Sequence, residues 1–245
     1  MSDLNPDDLR LVAERLVSHI DEKVPTVRCS DAYPMTPLAG LVRCRSFLRS
    51  MLSHEREGLH DLMGADLRLL YETLVYSQYA LFGADDAMER LRKHEIRQRS
   101  VIAQEADWDL TLAEPEEGTD DRLTFKEMCR LVGELLGERG SGFSTLFSDA
   151  YNTLYRSESY LGVHPSLQGL GLYMHEDGEG HAVGLTRPTD VEIADSRILM
   201  GAILVGHLAH DVFKDVGLDT SFIDETGEAL GDFQPLMRNP PDELG

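Results

Sequence analysis

Arg156 and His164 are the two residues whose types and spacing best fit a catalytic pair, and they flank Ser159 in "YRSESYLGVHPS" at positions 155–166. An imidazole takes or gives a proton near neutral pH, and a guanidinium stabilises the charge of a phosphorane. The pair therefore suits phosphodiester cleavage, with His164 as general base or acid and Arg156 as its electrostatic partner. On one unbroken helix, residues eight apart stand about 80° out of phase. Gly162 and Pro165 make an unbroken helix unfavourable here, which leaves His164 free to turn back toward Arg156. The plain structural alternative is a histidine packed under a helix end.

A second polar set lies in "DLRLLYETLVYSQYALFG" at 66–83, where Arg68, Glu72 and Tyr76 recur at i, i+4 and i+8 on one stripe of a helix. Such a column can bind an anion or hold a general acid. It can equally be an intrahelical ion pair worth a few tenths of a kcal/mol, with the tyrosine at the core's edge.

Three further stretches invite a metal. Glu57 and His60 in "HEREGLHD" at 54–61 have the E-x-x-H spacing of carboxylate-bridged di-iron bundles, but no second helical copy follows. "HLAHDVFKDVG" at 207–217 is similar to the adjacent His-Asp signature of metal phosphohydrolases, with His210 and Asp211 matching. His164 or His181, and Asp219 or Asp224, would have to complete the set. "HEDGEGH" at 175–181 holds two histidines and three carboxylates but lacks the acid-every-second-position order of a calcium loop, and reads better as a hairpin tip. The expectation is no metal and no cofactor. Neither a G-x-x-x-x-G-K-[ST] loop, nor a G-x-G-x-x-G turn after a strand, nor a G-x-S-x-G elbow is present.

The combination of "LRLLYE" in an early helix and "YRSESYLGVHPS" in a late one resembles an uncharacterised bacterial all-α family. In that family an Arg…Glu helix precedes a Tyr-Arg…Ser…His-Pro-Ser segment. The second motif in turn resembles the signature of the HEPN superfamily (higher eukaryotes and prokaryotes nucleotide-binding), in which an Arg and a His at a helix end form a composite ribonuclease site across a dimer. The resemblance spans roughly residues 40–215. It implies a helical bundle, a homodimer, a toxin or defence setting, and a metal-independent RNA or nucleotide site at Arg156 and His164 with Ser159 nearby. Seven residues separate Arg156 from His164 here, where that signature has four to six.

The elements that must position these residues are helices. "PDDLRLVAERLVSHIDEKV" at 6–24 opens with proline and two aspartates and carries Leu9, Val12, Leu16 and Ile20 at helical spacing. A second helix is predicted to start near Thr36-Pro37, with Thr36 as N-cap. A third covers about 60–82 and stops at Gly83, and a charged one runs from Asp85 to Trp108. "LAEPEEGTDDRL" at 112–123 has the composition of a linker. Thr124 with Glu127 makes a capping box for a helix to Glu138, and the next helix spans about 141–161. Glycines and short apolar runs near 165–188 predict a small loop or β-hairpin insertion. A long helix follows at about 190–216, and the stretch from Leu218 to Gly245 looks irregular, with room for a short helical piece. The predicted fold is a single all-α bundle of about six or seven helices over residues 1–245.

The chain's charge narrows its partners. Among 245 residues, 23 Lys and Arg stand against 44 Asp and Glu, a net charge of −21. That field repels phosphate backbones unless a local basic patch opposes it. The candidate patches are "RCRSFLR" at 43–49 and "RLRKHEIRQR" at 90–99, the latter also readable as a solvated helix face. The same charge gives the alternative reading, a non-catalytic acidic regulator that binds a basic partner protein. Cys29, Cys44 and Cys129 form no CxxC pair. The opening residues lack the pattern of a secretory signal, and no apolar run reaches the roughly 18 residues of a membrane span. A cytoplasmic protein that does not enter a membrane is the expectation.

Overall fold

Helix α1 (Pro6–Lys23) starts where its sequence places it. The Asn5 side chain accepts from the Asp7 N–H at 3.2 Å, Pro6 fills the first turn, and Asp7 and Asp8 meet the positive end of the helix dipole. Leu9, Ala13, Leu16, Val17 and Ile20 make its buried stripe. The computed structural model describes residues 5–28, 35–83, 87–105, 123–140, 174–176, 182–185 and 191–233, with Ser144, Phe147, Ala150, Tyr151 and Tyr155.

Helix α2 (Met35–Arg56) begins ahead of Thr36, which therefore lies inside the first turn and is not its cap. Proline fits any position of a first turn, because those N–H groups have no intrahelical partner, so Thr-Pro did not fix the start to one residue. At the other end Gly58 takes φ +67, a left-handed turn that favours glycine, and the Leu59 N–H reaches the His54 carbonyl at 2.7 Å. Helix α3 (His60–Phe82) follows at once, so α2 and α3 form a tight helical hairpin. Gly40 lets them close: a Cβ there would overlap Ser77 Oγ.

Helix α4 (Ala87–Glu105) packs on α3. Helix α5 (Phe125–Glu138) has the predicted cap, the Glu127 N–H donating to Thr124 Oγ1 at 3.1 Å. Ser144, Phe147, Ala150, Tyr151 and Tyr155 are helical. The predicted hairpin is present as β1 (Met174–Glu176) antiparallel to β2 (Ala182–Leu185), with Met174 opposite Leu185. Helix α6 (Val191–Asp215) is the bundle's central post and packs on α1, α2, α3 and α7. Helix α7 (Ser221–Gly231) occupies part of the stretch from 218 that the sequence marked as irregular.

The architecture is thus an all-α bundle, with seven α-helices of defined bounds among the described residues and one small hairpin. Among the described residues one apolar cluster runs through it, from Leu9 and Leu16 through Leu48, Leu70 and Leu74 to Leu199 and Phe213. One half-buried ion network crosses it: Arg10 Nη2 lies 2.6 Å from Glu55 Oε1 and 2.9 Å from Asp195 Oδ1, tying α1, α2 and α6 together. The bond to Glu55 raises the Arg10 pKa, and burial raises that of Asp195. Among the described residues no helix is long and apolar enough to cross a membrane. The predicted linker at 112–122 lies outside the described residues.

Candidate functional site

The helical spacing of Arg68 and Glu72 becomes a real contact. Arg68 Nη2 is 3.1 Å from Glu72 Oε1, with both side chains largely covered. The same Nη2 donates to Tyr155 Oη at 3.3 Å, and the guanidinium carbon sits 4.9 Å from the centre of the Tyr155 ring. Tyr76 belongs to the same stripe but bonds elsewhere: its hydroxyl is 3.0 Å from His94 Nε2 of α4. Burial pushes the Tyr76 phenol pKa up, and the Glu72 charge adds to the effect. The space beside this column is filled by rings. Phe125 lies 4.7 Å from Tyr155 and 6.1 Å from Tyr151, the two tyrosines stack at 5.4 Å, and Tyr76 stacks on Phe125 at 6.5 Å.

Arg156, Ser159 and His164 lie outside the described residues. Tyr155, immediately before Arg156, is described, and it is the residue that Arg68 holds. The two motifs singled out on separate grounds therefore meet at one point of the bundle, through Tyr155.

The metal patterns fare differently. His210 and Asp211 are adjacent on α6 but have separate partners. His210 Nδ1 is 2.9 Å from Asp224 Oδ1 of α7, and Asp224 Oδ2 accepts from Thr220 Oγ1 at 3.0 Å. Asp211 Oδ2 accepts from Gln78 Nε2 of α3 at 2.9 Å and lies 3.6 Å from His207 Nε2. Of the E-x-x-H pair, Glu57 is exposed in the turn after α2, and His60 is buried at the start of α3. Among the described residues no group of three or more His, Cys, Asp or Glu is arranged to hold a metal ion.

A cleft that sequence reasoning missed lies along this α6–α7 face. It encloses about 1010 Å³ and is lined by α6 and α7, with Phe82 of α3, Leu136 of α5 and Arg139. His207 reaches it with only 8% of its side chain exposed. Burial lowers the His207 pKa, the nearby His210 lowers it further, and the Asp211 charge opposes them, so the imidazole is biased toward its neutral form. The His-Asp pair at 210–211 was the available signal, but Phe82, Leu136 and Arg139 join the cleft only through packing.

The two cysteines among the described residues are poor nucleophiles. Cys44 and Cys129 are free and buried, and burial pushes the Cys129 thiol up to about 11 and that of Cys44 higher still. Family models, curated proteins and solved structures give no match to this chain.

Proposed function

We propose that this protein is a HEPN-like helical-bundle protein of toxin or defence type. It acts without a metal on an RNA or nucleotide phosphodiester through Arg156 and His164. In this reading His164 takes the proton of the attacking hydroxyl or returns one to the leaving oxygen, and Arg156 balances the charge of the phosphorane. Ser159 supplies a further polar group, and two copies of the chain assemble the composite site. The supporting observation is the contact between Arg68 and Tyr155. It anchors the residue before Arg156 to the very helix whose Arg-Glu spacing accompanies the motif. Glu72 neutralises Arg68, so Arg68 and Glu72 act as positioning residues, with Tyr76 bracing the adjoining rings.

The test is growth of cells in which the chain is induced. Wild type is expected to slow growth, while His164→Ala and Arg156→Ala, produced at equal levels, do not. Equal growth of all three contradicts the reading.

One observation favours the second reading, a non-catalytic acidic regulator of a basic partner protein. Both candidate basic patches contain cations already tied to acids. Arg45 and Arg49 pair with Asp21, and Arg92 and Lys93 pair with Glu89. This reading predicts a basic protein that co-purifies at low salt and is released at high salt.

A further inference from the structure

The α6–α7 cleft is a space the bundle keeps open at the expense of its own helices. Gly206 stands in the interior of α6 and Gly227 in that of α7, where glycine weakens a helix. Three other helix glycines, Gly40, Gly133 and Gly201, answer to crowding. A Cβ on Gly201 would press on Met51 Cε at 3.2 Å, and one on Gly133 on the Ser144 carbonyl oxygen at 2.8 Å. Gly206 and Gly227 answer to no such neighbour. A Cβ on Gly206 would meet nothing nearer than Leu16 Cδ2 at 3.9 Å, and one on Gly227 nothing within 4 Å. Both line the cleft, and Gly227 puts no side chain into it.

The walls say what that volume suits. Ile203, Ile223 and Leu230 make an apolar floor, while Asp211, Asp215, Asp224 and Glu228 outnumber the two cations Lys214 and Arg139. Arg139 is already engaged, 4.2 Å from the centre of the Phe82 ring. Among the described residues Asp211 takes both of its side-chain contacts on Oδ2, which leaves Oδ1 to accept from a ligand. Behind it Gln78 Oε1 is buried with no partner among the described residues. Acceptors are in excess over an apolar floor, and the volume is at the upper end of the roughly 300–1,000 Å³ typical of small-molecule sites. An anion would face four carboxylates. We propose that this cleft binds an amphipathic organic cation, a primary amine or diamine on an alkyl or aryl body. Its ammonium sits at Asp211 and the acidic rim, and its apolar part lies on Ile203, Ile223 and Leu230.

The test is calorimetric titration of the whole chain with hexylamine, 1,6-diaminohexane, hexanol and hexanoate at about 150 mM salt, where general attraction to a charge of −21 is screened. The two amines are expected to bind saturably, at least tenfold more tightly than the alcohol or the acid. Gly227→Leu, which fills the cleft, and Asp211→Asn, which removes the charge, should each weaken amine binding at least tenfold. Gly227→Leu meets no atom at its Cβ and adds a better helix former, so circular dichroism and melting should show an intact fold. Amine binding no tighter than that of hexanol, or unchanged in folded Gly227→Leu, overturns the proposal. If Asp211→Asn loses its fold, Gly227→Leu decides.

Discussion

The polar column on α3 and the polar wall on α6 begin from the same sequence device, titratable groups four apart on a helix, and end as opposite environments. Arg68 and Glu72 close on one another, and Phe125, Tyr151 and Tyr155 fill the space beside them. His207 and Asp211 stand 3.6 Å apart on a face that opens into about 1010 Å³. The neighbouring element decides the difference. Opposite α3 come rings large enough to stack, whereas opposite α6 comes α7, whose Gly227 and Gly231 present no side chain. Helical spacing brings polar groups together, and the residues across from them settle whether the result is a strut or a site.

Tyr71 is where the two regions join, so its removal is expected to have the largest effect. Its ring meets Phe125 edge-on at 5.9 Å on the side of Tyr155, and its hydroxyl donates to the Phe147 carbonyl at 2.5 Å. Phe147 in turn lies 6.4 Å from the His207 ring. Tyr71→Ala should cost about 3–5 kcal/mol in a urea unfolding experiment. If the two regions are linked, it should also perturb the ring environments of both, seen as tyrosine and histidine shifts by NMR. A loss confined to one region would separate them.

Asp211→Ala should come next, at about 1–3 kcal/mol, because it strips a partner from the buried Gln78 amide and from His207. Arg68→Ala should cost less, on the order of 1 kcal/mol, since it removes one half-covered ion pair and one cation–ring contact. If the ranking reverses on denaturant melts, the α3 column is more than the strut described here.

The smallest effect is one of pH. Burial holds His207 and His19 below the ordinary histidine range in the folded chain. The unfolded chain then binds more protons around and below pH 6.5, so stability present above that value falls as the solution is acidified through it. His19 stacks on Phe222 at 4.2 Å and His207 lines the cleft, so both lie against α7 or its flank. Unfolding measured at pH 7.5 and 5.5 should show the loss, and His207→Gln should shrink it. A pH dependence unchanged by that substitution would remove His207 from the account.

Much of the bundle was legible. Asn5-Pro6-Asp7 and Thr124 with Glu127 are local chemistry, complete within one turn, and both helix starts stand where those residues put them. The start of α2 was read late, because Thr36-Pro37 fits several positions of a first turn. Helix α7 was nearly invisible, since Gly227 and Gly231 lower its propensity. Its apolar face of Phe222, Ile223 and Leu230 gains weight only when packed on α6 and α1. The Arg68–Glu72 contact could be read because it is local. The cleft could not, since Phe82, Arg139 and Asp211 come from distant parts of the chain. A tyrosine 87 residues from Arg68 supplies its second partner, which no spacing rule reaches.

The proposed chemistry at Arg156 and His164 is tested most directly by incubating the purified chain with RNA in the presence of a metal chelator. Cleavage by the wild type that falls at least a hundredfold in His164→Ala and Arg156→Ala, with only a partial loss in Arg68→Ala, is the predicted result. Intact RNA with the wild type, or equal cleavage by His164→Ala, would contradict it.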